Sequence, residues 1–258
     1  MGSSSHDNMS FLEHLEELRW HIIRSLIAIV SAGFICFLMK DFIFDTIIFG
    51  PKKMDFPTYK FLCQAATFIG VETTFCGDEF PFIVQNRTMA GQFSAHVMTS
   101  IISGFIISFP YILYEFWKFI SPGLLEKEKA KSRGFIFVSS MLFFIGVLFG
   151  YYIISPLSIN FLGTYQVSSQ VLNEIDLGSF ISLVRSSAIA SGIIFELPII
   201  IYFLTKAGVV TPESLVKYRK YALVLVLVLA AIITPPDVAS QIIVAIPIVV
   251  LYQVSIFI

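Results

Sequence analysis

The sequence predicts an all-α, polytopic integral membrane protein of six transmembrane helices, with both termini inside and a short hairpin formed by the last two spans. Three observations lead there. The chain is 56% hydrophobic and only 14% charged over 258 residues, with a mean hydropathy of +0.83, more apolar surface than a soluble fold of this size could hide. Apolar runs able to cross roughly 30 Å of hydrocarbon, about 20 residues each, recur along the whole length. Lys and Arg concentrate in alternate short connections, which sets an orientation. The net charge of −1 gives no electrostatic reason for a nucleic-acid partner, so the lipid bilayer is the first partner the composition implies.

The elements follow in order. Residues 1–9 are set aside as a tag remnant or disordered start, and residues 10–258 form one six-helix membrane domain. Asp7, Glu13, Glu16 and Glu17 precede the first apolar run and no small-residue cleavage site follows it, so the first span is expected to remain in the mature chain. Ser10 and Glu13 make a capping box, and Phe11, Leu12, Leu15, Leu18 and Ile22 continue an apolar stripe, predicting an amphipathic surface helix that leads into span one. The spans fall near 21–39, 92–116, 134–154, 179–205, 221–234 and 238–257.

Lys118, Lys127, Lys129, Lys131 and Arg133 follow span two, and Lys206, Lys217, Arg219 and Lys220 follow span four. Those connections are expected to be cytoplasmic. The connections after spans three and five carry only Glu174, Asp176 and Asp237, which places them outside. The long loop from Lys40 to about Gly91 is then periplasmic, and it holds Cys63 and Cys76. If that compartment is oxidising, a Cys63–Cys76 disulfide is expected, the alternative being two free thiols. Tyr221 to Ile233 reaches only about 20 Å before the turn at Thr234, Pro235, Pro236 and Asp237, so the last hairpin is short for a bilayer and predicts local thinning.

Charges forced to membrane depth need a reason, whereas solvated ones do not. Glu196 lies in an apolar run, two residues before Pro198, and is a candidate functional carboxylate on a polar stripe facing a cavity. Arg185 shares its face but sits about 16 Å away along the helix, too far to pair, and is read as snorkelling to the surface. Glu17 and Glu128, taken alone, read as solvated charges near the membrane surface. His14 and His21 read as surface histidines that lack a third ligand for a metal.

Four strings change the weight of those residues. HLEELR covers His14 to Arg19, FISPGLLEKEK covers Phe119 to Lys129, FELP covers Phe195 to Pro198, and TPPDVASQ covers Thr234 to Gln241. In that order they resemble the TatC family, the signal-peptide receptors of the twin-arginine translocase, and the likeness extends from Ser10 to Ile258. The resemblance implies that the chain binds signal peptides with two consecutive arginines at the cytoplasmic face. It also implies proton-motive-force-driven export of folded proteins across the bacterial inner membrane. Glu17 and Glu128 match the recognition carboxylates, Phe119 and Pro122 belong to the same surface, and Arg19 would orient Glu17 or Glu16. Two carboxylates can each accept a planar guanidinium bidentately, so they could separate paired arginines from paired lysines. Glu196 would lie inside a concave face, with Thr234, Asp237 and Gln241 as a polar cluster at the outer end of the hairpin. Single-span TatA- and TatB-like subunits in homo- and hetero-oligomers are the implied partners. The long first loop exceeds the family's usual length.

Two other classes are weighed. A secondary transporter of small solutes or ions could use Glu196 as an intramembrane site, yet the halves show no repeat. An intramembrane protease needs a serine with a histidine, or two aspartates, at membrane depth; all four histidines lie before residue 97, and Asp237 stands by itself near a turn. Neither catalysis nor a cofactor is predicted.

Overall fold

The computed structural model describes residues 11–70, 74–77, 79–120, 132–168, 170–206, 208–234 and 237–257. The start of the chain, with its tag-like segment and Ser10, lies outside them. The amphipathic stretch and span one form a single helix, α1 (Phe11–Leu38), because no proline interrupts the backbone ladder over these 28 residues. It is followed by a π-helical turn (Phe42–Ile48), α2 (Pro57–Ile69) and strand β1 (Phe82–Gln85). Helix α3 (Gly91–Ile120) contains Pro110, and α4 (Ser132–Phe149) runs through a π-helical turn (Gly150–Ile154) into α5 (Ser155–Thr164). Strand β2 (Asn173–Asp176) precedes α6 (Leu177–Phe195) and α7 (Leu197–Lys206). Helices α8 (Pro212–Lys217), α9 (Arg219–Ile233) and α10 (Val238–Phe257) complete the chain.

Four stretches are long and apolar enough to cross a bilayer: Leu15–Leu38, Gly91–Ile120, Gly134–Thr164 and Leu177–Lys206. Only 17% to 33% of each is buried within the protein, so their large side chains, such as Val30, Phe34 and Phe137, face outward. In water such surfaces would drive aggregation, but in hydrocarbon they need no cover. The remaining two expected spans are shorter: α9 has 15 residues, about 22 Å of helix, and α10 has an apolar stretch from Ser240 to Ile256.

Backbone contacts divide the chain into two compact units, residues 1–38 with 100–140, and residues 39–99 with 141–258. In the first, α1 and α3 run antiparallel at very short range. A Cβ on Gly104 would lie 2.5 Å from the Gly33 nitrogen and 2.6 Å from the Ile29 carbonyl oxygen, so only glycine permits this approach. Ser108 donates to the Ala28 carbonyl at 3.0 Å, and Trp117 stacks obliquely on Phe135, with ring centroids 4.8 Å apart.

The second unit uses the same small-residue device where Gly146 and Gly150 meet Ser187, Ser191 and Gly192 of α6. Its apolar core joins Ile154 to Val226, Ala230, Val244, Ala245 and Ile248. Thus the short α9–α10 hairpin is held against the body by side-chain packing. The described residues of the long loop pack into the same unit. Tyr59 is fully buried, its hydroxyl lies 2.9 Å from the Pro51 carbonyl and 3.0 Å from that of Pro156, and burial pushes its phenol well above the usual range. Strand β1 pairs in parallel with β2, Phe82 opposite Asn173 through Gln85 opposite Asp176, and Arg87 donates to Glu174 at 2.9 Å. A bond joins Cys63 to Cys76, with Cα atoms 5.1 Å apart.

Candidate functional site

The polar residues of the first unit collect where the start of α1 meets the end of α3. Arg19 donates to Glu16 at 3.3 Å, one helical turn away, with both side chains mostly exposed. Its guanidinium also lies 5.6 Å from the centre of the Trp20 ring. Of the two carboxylates Arg19 could orient, it takes Glu16. Among the described residues, half-buried Glu17 has no ion-pair or hydrogen-bond partner.

One turn further, the reading of His21 as a surface histidine fails. His21 is buried and its Nδ1 lies 2.5 Å from Oε2 of Glu115, which is 3% exposed. The Tyr111 hydroxyl also bonds to Glu115, and Arg24 approaches the same carboxylate at 3.7 Å. Burying one ionisable group alone is expensive, whereas two that share a hydrogen bond satisfy one another. Sequence reasoning missed Glu115 although a signal was present, because a carboxylate inside the apolar string YILYEFWKF is a charge at membrane depth.

The edge of the His21 ring meets Phe119, with centroids 6.0 Å apart. Contacts between the antiparallel helices step regularly from Gly33 against Ser100, through Ala28 against Ser108, to His21 against Glu115. One more turn in that register brings Glu17 level with Phe119. Glu128 and Pro122 lie outside the described residues.

The other candidates belong to the second unit. Glu196 is buried where α6 ends and α7 begins. Pro198, two residues on, cannot donate a backbone bond, which explains the break in an apolar stretch. Buried Thr234 donates to the Ala230 carbonyl at 2.8 Å. Asp237 accepts from the Ser240 backbone at 2.8 Å and its hydroxyl at 2.7 Å, capping α10. Gln241 donates across the hairpin to the Leu227 carbonyl at 3.1 Å. Each of these three bonds to helix backbone, so all contribute to shaping the hairpin. Arg185 lies half-buried, nearly halfway along α6. Among the described residues there is no group of three or more His, Cys, Asp or Glu able to hold a metal.

Comparison with known proteins follows the same residues. The profile of the family described as Sec-independent protein translocase protein (TatC) matches residues 13–247. A TatC from Blattabacterium sp. subsp. Periplaneta americana is 46% identical over 253 residues, covering 98% of this chain and 95% of that protein. The TatC of Aquifex aeolicus is 37% identical over 252 residues, covering 96% and 94%. A crystal structure of the twin-arginine translocase receptor TatC in DDM superposes with a TM-score of 0.72 at 36% identity, covering 95% of this chain and 98% of that one. An apolar helical architecture, four ordered motifs and full-length similarity therefore agree, and the chain belongs to the TatC family of Sec-independent protein translocase proteins.

Proposed function

We propose that the chain receives twin-arginine signal peptides where the start of α1 meets the end of α3, with both termini in the bacterial cytoplasm. The observation that supports this most directly is the state of Glu17. It is half-buried, Arg19 is engaged with Glu16 instead, and the helix register brings Glu17 level with Phe119. A partly desolvated carboxylate with no cation of its own favours an incoming guanidinium, and the flat Phe119 ring gives that group a surface to rest on. Glu128, nine residues after Phe119, supplies the second carboxylate, and Pro122 takes part in the same recognition. Arg19 acts through Glu16 and leaves the peptide alone.

In this reading Glu196 is the polar group of a concave inner face. The α9–α10 hairpin, shaped by Thr234, Asp237 and Gln241, takes the single-span TatA and TatB partners in a hetero-oligomer that uses the proton-motive force. The test is binding of a twin-arginine peptide and its twin-lysine variant to the detergent-purified chain and to a Glu17→Ala, Glu128→Ala double variant. Arginine-dependent binding that disappears in the double variant supports the site. Equal binding of both peptides to the unaltered chain overturns it.

A further inference from the structure

Arg185 is a cation of the second unit that neither the fold nor the proposed recognition site uses. Among the described residues it has no ion pair or hydrogen bond, although it lies half-buried in an apolar helix. A guanidinium in that position is costly unless a partner or water meets it. It lines a cavity of about 310 Å³ together with Thr88, Ser94, Gly178 and Met98. No acidic side chain is among the described lining residues, and nearby Asp176 is occupied in capping α6 through the Gly178 and Ser179 nitrogens.

The depth of Arg185 narrows what can enter. The apolar stretch Leu177–Lys206 has 30 residues, long enough to cross roughly 30 Å of hydrocarbon. Arg185 is eight residues, about 12 Å, from its start. That is near enough to one end for its long side chain to reach the headgroup layer. The forked donors of a guanidinium match two oxygens of a phosphate, and the Thr88 and Ser94 hydroxyls can donate to a third.

We propose that the Arg185 cavity binds a phosphate group, that of a phospholipid headgroup or free phosphate, at the membrane edge where α3 and α6 begin. The lipid source is favoured by Met98, an exposed apolar side chain that lines the same cavity and gives an acyl chain a wall beside the phosphate. Snorkelling alone would bring Arg185 to the surface without any preference for phosphate.

The test uses the full chain purified in a maltoside detergent that carries no phosphate. Binding is followed by native mass spectrometry and by the thermal unfolding midpoint on titration with short-chain phosphatidylglycerol, inorganic phosphate, or a glycolipid lacking phosphate. Phosphatidylglycerol is expected to bind and stabilise the unaltered chain, with an affinity at least about tenfold lower in Arg185→Gln. The glycolipid should bind both forms weakly and alike. Stabilisation by inorganic phosphate as well would assign a free anion site; its failure would assign the lipid. Equal phosphatidylglycerol affinity in Arg185→Gln and the unaltered chain, or glycolipid binding as tight as phosphatidylglycerol, overturns the proposal. Should Arg185→Gln fold poorly, Ser94→Ala with Thr88→Val gives a second reading, in which an unchanged phosphatidylglycerol affinity overturns the proposal.

Discussion

Removing His21 should harm the first unit more than removing it together with Glu115. The Glu115 side chain is 4% exposed and that of His21 6%, so His21→Leu leaves a carboxylate buried with only the Tyr111 hydroxyl and an Arg24 side chain that is 47% exposed, at 3.7 Å. Breaking a buried pair on one side costs about 3–5 kcal/mol. Partial compensation by Arg24 puts this case near the lower limit, about 3 kcal/mol. Glu115→Leu leaves the His21 imidazole short of one bond, about 1–2 kcal/mol. In the double variant two apolar side chains meet and no polar group is stranded, so the cost should fall to about 1 kcal/mol or less. Cys36 is a buried free thiol in the same unit, which makes its labelling by a thiol-reactive dye during denaturant titration in detergent a local reporter. Costs that simply add, with the double variant less stable than either single one, would refute the reasoning.

Further outcomes follow from other contacts. Gly104→Val forces side-chain atoms onto the Gly33 and Ile29 backbone and should cost at least about 1–3 kcal/mol, seen in the same Cys36 assay; an unchanged midpoint would deny the close approach. Tyr59→Phe removes the hydroxyl that ties Pro51 to Pro156, at a cost of about 1–2 kcal/mol, and limited proteolysis should then cut the 39–90 loop faster while the spans stay protected. Reducing Cys63–Cys76, which closes a separation of 13 residues, should loosen the same loop by about 3 kcal/mol, while alkylation without reduction should label neither cysteine. Asp237→Ala removes the cap of α10 and should lower stability by about 1 kcal/mol, with Asp237→Asn retaining most of it.

The sequence by itself determined the helical membrane class, because apolar runs and the placement of Lys and Arg are local properties that survive in one dimension. It also determined the family, since HLEELR, FELP and TPPDVASQ are strings that need no coordinates; it singled out Glu196 as a carboxylate needing a reason, while Glu17 gained weight only through its motif. What it could not supply was any fact joining distant residues. That Arg19 chooses Glu16, that His21 pairs with Glu115 across 94 positions, and that the long loop is bound to the rest through Tyr59 and the β1–β2 pairing were decided only by tertiary structure. So was the close approach of Gly33 to Gly104. The physical reason is that burial and hydrogen-bond partnership depend on which helix faces meet. In lipid the apolar residues that dominate this sequence are acceptable on either face, so the pattern that fixes helices says little about how they pack.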